Sequence, residues 1–287
     1  MRIKIFVSFL LIISFSLSAK TLMWKVENGK SSMYILGSIH VAKPELYPLK
    51  PIIENAFSKS KNLVVEADVL AGSASLQVKT MQLGMYTDKT LKDVLSPLLY
   101  KKVIDKTTSL GLPAFAVNKM KPWLLGLTLT ILHIKNLGYD PTSGIDLHFL
   151  KKAKKENKNI LELESGEFQI NLLASFGDKI DIKNLELLIK DWDKSAPLLK
   201  KMFEEWKEGK YDTLLKLTFA HQNEYPEMKT YYQKLLYDRN INMAKKLDNY
   251  LKQKEQSYFV VVGAGHLLGK KGIIEILRKK GYKLSQQ

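Results

Sequence analysis

The sequence predicts an α/β fold of α+β-like character, in which a central mixed β-sheet built from both chain ends is covered by a large helical insertion. The run Tyr258–Val262 is dense in β-branched and aromatic residues and too short for a helix, which is typical of a strand buried on both faces. Met33–Leu36 is a similar run near the other end of the chain. Residues 73–138 and 181–250, which lie between these strands, carry mainly helical patterns. The strands from the two ends are therefore expected to share one sheet beneath the helices.

The elements follow in chain order. Leu22–Glu27 and Met33–Leu36 predict a hairpin around Asn28-Gly29-Lys30. A short helix is expected at Ile52–Ser60 and the next strand at Asn62–Val65. The remaining predicted elements are the helices Ser75–Gly84, Ser96–Leu110, Trp123–Asn136 and Ile145–Asn157, the strand Asn159–Leu163, the helix Glu167–Phe176, a helical stretch over 181–250 with breaks at Gly209 and near Tyr225-Pro226, and the helix Ile273–Lys280.

A histidine follows the C-terminal predicted strand. Gly263 and Gly265 let the backbone turn sharply after Val262, so His266 is presented just past the end of the strand. Ligands of α/β sheets bind outside the carboxyl ends of strands. His266 therefore occupies a position where chemistry is expected.

The same Gly-x-x-His pattern occurs near the other chain end, where Gly37 and His40 follow the strand Met33–Leu36. One such pattern is a weak signal. Two copies in the same context, in a chain with only five histidines, indicate a shared site. Of the other histidines, His133 is expected to be packed or on a helix surface, and His148 to be exposed.

Carboxylates follow two further predicted strands. Glu66 comes directly after Asn62–Val65, and Glu164 stands at the C-terminal end of Asn159–Leu163. Glu164 has an alternative role as a cap, because Ser165 and the glycine after it mark the start of a helix. Glu66 is therefore the stronger candidate for the site.

Three polar residues are outer candidates. Asp146 lies in the first turn of a predicted helix, where it would either serve the site or simply favour the helix dipole. Arg239 and Asn240 lie on the last helix of the 181–250 stretch. Nearly all the basic residues are lysines, so an arginine suggests a need for planar, bidentate geometry. A salt bridge from Arg239 to Asp238 or another nearby acid explains it equally well.

The N-terminus predicts export. Arg2 and Lys4 precede an apolar run, Ile5–Leu17, which ends at the small residue Ala19. We predict a signal peptide over residues 1–19 and a single domain over 20–287, in the periplasm or secreted. An uncleaved membrane anchor is the alternative.

Composition narrows the function classes. The chain has no cysteine, which excludes disulfides and Cys-ligated zinc or iron–sulfur sites. Its formal charge is +16, or +14 once Arg2 and Lys4 are removed, but the lysines are interleaved with Glu and Asp and accompany no nucleic-acid motif. We therefore expect no nucleic-acid partner, and at most a weak attraction to anionic envelope surfaces.

Two imidazoles and one carboxylate, from His40, Glu66 and His266, are a common ligand set for a divalent transition metal. Such an ion can acidify a water for hydrolysis. The same groups can also act as general acid and base without metal. Spacing along the chain does not distinguish these two chemistries.

The chain resembles the TraB/GumN family, which is related to the TIKI-type proteases. The resemblance spans nearly the whole mature chain, in family order. It is carried by Tyr34-Ile35-Leu36-Gly37-Ser38-Ile39-His40, Val65-Glu66-Ala67-Asp68, Gly144-Ile145-Asp146, Leu163-Glu164-Ser165, Trp206-Lys207-Glu208-Gly209, Arg239-Asn240 and Val262-Gly263-Ala264-Gly265-His266-Leu267-Leu268-Gly269. The last block is the most specific.

The resemblance implies an exported divalent-metal-dependent hydrolase, with a peptidase as the favoured type, in which His40, Glu66 and His266 are the catalytic and metal-binding residues. Manganese or cobalt is the implied ion, and zinc is compatible with the same donors. Arg239, Asn240, Asp146 and Glu164 are the expected substrate-binding residues, and the substrate is a peptide or a small molecule. The alternatives are a non-catalytic protein that holds haem or a peptide, and an envelope-assembly accessory protein on the same fold.

Overall fold

The computed structural model describes residues 20–287, apart from the side chain of Asn223. The predicted signal peptide lies outside the described residues. Six strands form one mixed sheet in the order β4-β3-β5-β2-β1-β6. Their bounds are β1 Met23–Asn28, β2 Ser31–Ser38, β3 Asn62–Val65, β4 Asn159–Glu162, β5 Ser257–Gly263 and β6 Leu284–Gln286.

The helices lie mostly between β3 and β5. They are α1 Pro51–Lys59, α2 Ser73–Gly84, α3 Leu91–Val94, α4 Pro97–Ser109, α5 Ala114–Val117, α6 Pro122–Asn136, α7 Ile145–Lys155, α8 Gly166–Leu173, α9 Asp178–Lys190, α10 Trp192–Lys207, α11 Tyr211–Thr218, α12 Ala220–Glu224, α13 Met228–Tyr232, α14 Asp238–Leu251, α15 Ala264–Leu267 and α16 Ile273–Lys279. A π-helical turn, Gln233–Tyr237, joins α13 to α14.

The two chain ends build the sheet together, which confirms the predicted fold class. β1 and β2 form an antiparallel hairpin, and β2 pairs in parallel with β5, with Leu36 opposite Val261. β5, β3 and β4 continue the sheet in parallel. The edge strand β6 was not predicted, because its three residues, Leu284–Gln286, carry no run of apolar or β-branched side chains.

β5 is the centre of the core. Every residue from Tyr258 to Gly263 is buried. Phe259 contacts Phe57 of α1 and Phe149 of α7, with ring centroids 5.6 and 4.7 Å apart. The adjacent Tyr258 stacks on Tyr250 of α14 at 5.4 Å. Because successive side chains of a strand point to opposite faces, helices cover both faces of the sheet here.

The helical insertion has a second apolar cluster of its own. It is formed largely by α3, α4, α6 and α9 and includes Leu91, Val103, Leu125, Leu129 and Leu185. The predicted break at Gly209 is present between α10 and α11. Its φ is +66°, and a Cβ there would lie 2.6 Å from the Lys20 carbonyl oxygen, so a side chain is excluded on both grounds. Within residues 20–287, no helix combines the length and apolar character that crossing a membrane requires.

Candidate functional site

The candidate residues gather where the parallel strands end. β2, β5, β3 and β4 run in the same direction, so their carboxyl ends meet at one edge of the sheet. His40 follows β2, Glu66 follows β3, Glu164 follows β4, and His266 lies in α15 directly after β5. The topology therefore brings together four residues that lie far apart along the chain.

Gly263 leaves a space that three of these residues border. A Cβ at Gly263 would lie 3.3 Å from Glu66 Oε1, 3.3 Å from His40 Nε2 and 3.7 Å from His266 Cδ2. The backbone N–H of Gly263 donates to Glu66 Oε1 over 2.7 Å, and His266 Nε2 lies 3.5 Å from the same oxygen. The absence of a side chain at Gly263 thus opens a small space that faces one imidazole nitrogen, one carboxylate oxygen and the edge of the His266 ring.

Asp146 orients His40. His40 Nδ1 lies 2.9 Å from Asp146 Oδ2, and the Ser38 hydroxyl donates to Asp146 Oδ1 over 2.7 Å. Burial favours the protonated form of Asp146, but His40 and the Ser38 hydrogen bond outweigh it and hold the pKa of Asp146 below its usual range. An ionised carboxylate only accepts, so Nδ1 of His40 carries a hydrogen and Nε2 is left for a ligand or a second proton.

Asn240 orients His266 in the same way. His266 Nδ1 lies 2.6 Å from Asn240 Oδ1, and Asn240 Nδ2 donates to the Lys271 carbonyl over 2.9 Å. Because a backbone carbonyl only accepts, the amide nitrogen must face Lys271 and the amide oxygen must face the imidazole. Nδ1 of His266 is therefore the protonated nitrogen, and Nε2 points towards Glu66.

The two histidines differ in charge. The negative charge of Asp146 outweighs the partial desolvation of the His40 ring at the cleft and raises the pKa of His40 to about 9. Burial lowers the pKa of His266, although Glu66 acts in the other direction. A pair of titratable groups whose environments push their pKa values apart is the usual basis of acid and base roles. Near neutral pH, His40 is therefore protonated and His266 is neutral.

Arg239 bridges the two buried carboxylates. Its Nη2 lies 2.7 Å from Glu66 Oε2 and 2.7 Å from Glu164 Oε2, and its Nε donates to Glu164 Oε1 over 2.9 Å. Another donor, Nη1, bonds to the Leu235 carbonyl over 2.9 Å. Of the two explanations given for Arg239, the structure favours the ion pair, although the partners are Glu66 and Glu164 rather than Asp238. Most of the guanidinium is already used, which leaves little of it for a substrate carboxylate.

Glu66 is held ionised despite its burial. Burial alone raises the pKa of this carboxyl, but His266, His40, Arg239 and the Gly263 amide together keep the pKa below its usual range. Its Oε2 accepts from Arg239, whereas Oε1 faces the space beside Gly263.

Two contributing residues were not predicted. Gln169 of α8 donates to Glu66 Oε2 over 3.1 Å and to Glu164 Oε2 over 3.3 Å. Nothing in the sequence distinguishes Gln169 from a helix-surface glutamine. Ser38 could have been found, because it lies inside the first Gly-x-x-His pattern.

Two other histidines have structural roles. His133 is half-buried and its Nε2 lies 2.6 Å from the Ser195 hydroxyl, which agrees with the expectation of a packed or helix-surface position. The expectation that His148 is exposed was wrong. His148 is half-buried because its ring stacks on Tyr47, with centroids 4.2 Å apart.

A cleft of about 300 Å³ opens onto the site. His40, Glu66, Asp146, Gln169 and Arg239 line its polar side. Its apolar wall is formed by Val65, Ala67, Val69, Leu172, Leu173 and Leu235. This combination of an apolar wall and a few convergent polar groups is typical of a binding site for a small ligand or a side chain.

The chemistry of the donor set fits a divalent metal ion. His40 Nε2, Glu66 Oε1 and the His266 ring border the space at Gly263, and His266 Nε2 lies 3.5 Å from Glu66 Oε1. Hydrogen bonds to the Nδ1 atoms orient both rings, as is usual for metal-ligating histidines. In the described part of the chain, however, no three His, Asp or Glu side chains are drawn together closely enough to hold an ion. Ion binding therefore requires these donors to move closer, and His40 has room to do so because its side chain is 68% exposed.

Replacing Asp146 with Asn should return the pKa of His40 from about 9 towards its ordinary 6.5, since the main cause of the shift is removed. The raised pKa means that the ion pair stabilises the folded state fully below the unfolded pKa and that this stabilisation disappears as the pH rises through about 9. Asp146→Asn should therefore flatten the alkaline part of the stability profile. An NMR titration of the metal-free protein measures both effects, and an unchanged His40 titration would contradict the assignment. Asp140→Asn is the control, because the carboxylate of Asp140 bonds to Thr142 and contacts no histidine in the described structure.

Comparison with known proteins places the chain among related sequences. The uncharacterized protein YbaP of Escherichia coli (strain K12) is 25% identical over 253 residues, which is 87% of this chain and 89% of the relative. The metalloprotease TIKI1 of Danio rerio is 23% identical over 313 residues, covering 91% of this chain and 62% of the relative. The metalloprotease TIKI2 of Xenopus tropicalis is 43% identical over a segment of 53 residues, 18% of this chain.

No solved structure matches the chain significantly. The model of the TraB/PrgY/gumN family matches residues 22–286, nearly the whole described chain. The chain belongs to the TraB/PrgY/gumN family.

Proposed function

We propose that this protein is an exported hydrolase that depends on a divalent metal ion and cleaves peptides. The observation that carries the proposal is the space at Gly263, which His40 Nε2, Glu66 Oε1 and the His266 ring border from three sides. The distant relatives named metalloproteases support the reaction class. Export to the periplasm or the medium rests on the N-terminal pattern of residues 1–19.

The residues that would hold the ion are His40, Glu66 and His266, and manganese or cobalt is the favoured ion. When bound, a divalent ion supplies Lewis acidity and lowers the pKa of a water. The remaining roles belong to the chain itself. Asp146 and Asn240 keep both imidazoles in the tautomer whose Nε2 faces the site, so they act on the histidines rather than on the substrate.

The charged and polar groups around the site fix the protonation states of its side chains. Arg239 and the Gly263 amide hold Glu66 as a carboxylate, which gives the site an anionic oxygen at neutral pH. With an ion bound, Nε2 of both histidines would be occupied by it, so neither ring would also carry the proton that a departing amine requires, and that proton would come from the water. The apolar wall of the cleft gives a peptide side chain a surface to pack against and helps to exclude water.

Filling the space at Gly263 tests this proposal directly. Gly263 has φ −51°, which an L-residue adopts without strain, so Gly263→Ala should fold normally. Its Cβ would lie 3.3 Å from both Glu66 Oε1 and His40 Nε2, which forces these donors apart. We expect manganese or cobalt affinity, measured by calorimetry, to fall at least tenfold, with peptide hydrolysis falling in parallel.

Gly265→Ala is the matched control. Its Cβ would lie 3.7 Å from the nearest atom, on Leu236, which is an ordinary contact, so metal affinity should stay within threefold of the wild type. Equal affinity in both variants, or no binding by the wild-type protein, would refute the metal site.

A second candidate is a hydrolase that uses the same groups without metal. The opposite pKa shifts of His40 and His266 favour it, because they assign an acid and a base without any ion. Hydrolysis that persists in a chelator but disappears in Gly263→Ala would support this candidate instead.

A further inference from the structure

A second cavity lies inside the helical layer, away from the edge of the sheet. It has a volume of about 230 Å³ and is enclosed by α6, α8, α9 and α13. Its walls are mostly apolar and aromatic and include Trp123, Phe176, Leu185 and Tyr231. Asp181 is the acidic residue that lines it.

Asp181 is buried without a partner. The residue as a whole is 4% exposed, and among the described residues its carboxyl forms no hydrogen bond and no ion pair with Lys, Arg or His. Its oxygens are not completely enclosed by protein, so they remain accessible from the cavity that Asp181 lines. Asp178, one turn earlier on α9, is the contrast: it lies 2.8 Å from Lys89 Nζ and accepts from the Tyr86 hydroxyl over 2.8 Å. A buried carboxylate is strongly disfavoured unless it is paired, so an unpaired one at this position calls for an explanation.

In the part of the chain that the structure describes, no positively charged group contacts the carboxyl of Asp181, and the groups around it disfavour its ionised form. Burial raises the pKa of Asp181 to about 7, with help from the negative charge of Asp178, and Lys121 only partly opposes this. Tyr231 and Tyr86 also face it, and its charge contributes to raising the pKa of both hydroxyls. A cation entering the cavity would find a carboxyl that has no competing counter-charge in contact.

Trp123 presents a second unsatisfied group. Its indole Nε1–H is buried and has no acceptor among the described residues. Buried donors in native proteins are almost always satisfied by protein, water or ligand. A ligand that satisfies both polar groups of the cavity would therefore carry a positive charge to pair with Asp181 and a hydrogen-bond acceptor for Trp123.

We propose that this cavity binds the side chain of a lysine or arginine residue of a peptide substrate. The ammonium or guanidinium group pairs with Asp181, and the aromatic walls contribute cation–π and apolar contacts along the stem. A peptide carbonyl is an acceptor of the kind that Trp123 lacks. The volume is below the roughly 300–1,000 Å³ of pockets for whole small molecules, which suits a single side chain.

The position of the cavity connects it to the candidate active site. Leu173 lines both this cavity and the cleft that holds His40 and Glu66, so one side chain stands between the two spaces. A peptide lying in the cleft can place a neighbouring side chain in the cavity. This placement rests on the proposed function, whereas cation binding by the cavity does not.

Binding of small side-chain analogues to residues 20–287 tests the cavity alone. The probes are n-butylammonium and n-propylguanidinium, with n-pentanol as the neutral control, and the indole N–H resonance of Trp123 reports occupancy. We expect both cations to bind at least tenfold more tightly than pentanol. Asp181→Asn should remove this preference, whereas Asp178→Asn, whose side chain does not line the cavity, should keep affinity within threefold. Pentanol binding as tightly as the cations, or Asp181→Asn binding them unchanged, would overturn the cation site.

A second binding experiment tests whether the cavity prefers a peptide lysine to a free amine. N-acetyl-lysinamide should bind more tightly than N-acetyl-norleucinamide and than 1,5-diaminopentane, because only the lysine derivative supplies both the cation and a carbonyl acceptor. Tighter binding of the diamine would overturn the assignment to a peptide.

If peptides are cleaved, Asp181→Asn should lower kcat/KM at least tenfold for lysine-containing peptides and less than threefold for their norleucine counterparts. Equal losses for the two peptides would overturn the role in selectivity. If nothing is cleaved, the hydrolase proposal fails, but the binding measurements still test whether the cavity binds a lysine or arginine side chain.

Discussion

Arg239→Met should destabilise the protein by about 3–5 kcal/mol, the cost of removing one partner from a buried ion cluster. The side chains of Arg239, Glu66 and Glu164 are each at most 10% exposed. Without the guanidinium, two largely buried carboxylates face each other, and only Gln169 still donates to both. Since a typical domain has a free energy of unfolding of about 5–15 kcal/mol, this loss is a large share of the total.

Chemical denaturation measures the effect, and two further variants test its cause. Arg278→Met is the matched control: Arg278 is a partly exposed arginine on α16 that pairs with Glu275, so its loss should cost no more than about 1 kcal/mol. Adding Glu164→Gln to Arg239→Met should recover part of the stability, because one of the two unpaired charges is removed. A double variant no more stable than Arg239→Met would show that packing, rather than charge, explains the loss.

The meeting of the site residues could be predicted from sequence because it follows from topology. His40, Glu66 and His266 each follow a strand run, and parallel strands place their carboxyl ends at one edge of the sheet. The patterns that identify such strands are local, so the sequence alone is sufficient to predict that these residues meet. The roles of these residues remain predictions, since proximity alone does not establish chemistry.

The partners of these residues could not be predicted, because they are set by packing between distant segments. Asp146 lies 106 residues from His40, and Arg239 lies 173 residues from Glu66. The rarity of arginine indicated that Arg239 has a special geometry, but both a substrate clamp and an ion pair satisfy that signal. For the same reason nothing in the sequence separates Asp181, buried without a partner, from Asp178, which is paired three residues earlier.

His40→Ala and His266→Ala should each lower peptide hydrolysis by at least about 100-fold, the range expected for loss of a general acid or base, and should weaken manganese or cobalt binding in parallel. Their effects on stability should differ. His40 is 68% exposed on its side chain, so the loss of His40 and of its ion pair with Asp146 should lower the free energy of unfolding by no more than about 1 kcal/mol. His266 is 4% exposed, and its loss leaves Asn240 Oδ1 buried without a donor, which costs about 1–3 kcal/mol.

His221→Ala provides the control for both variants. His221 pairs with Asp191 over 3.0 Å at a partly exposed position remote from the cleft, so its loss should leave hydrolysis and metal affinity unchanged. Comparing these variants separates a loss of activity from a loss of folding. His40 is the informative residue, because its removal costs little stability. If His40→Ala keeps full hydrolysis and metal binding while His266→Ala loses them only through unfolding, both histidines are structural and the hydrolase proposal fails. If His40→Ala loses both properties in a protein as stable as the wild type, the loss belongs to the reaction itself.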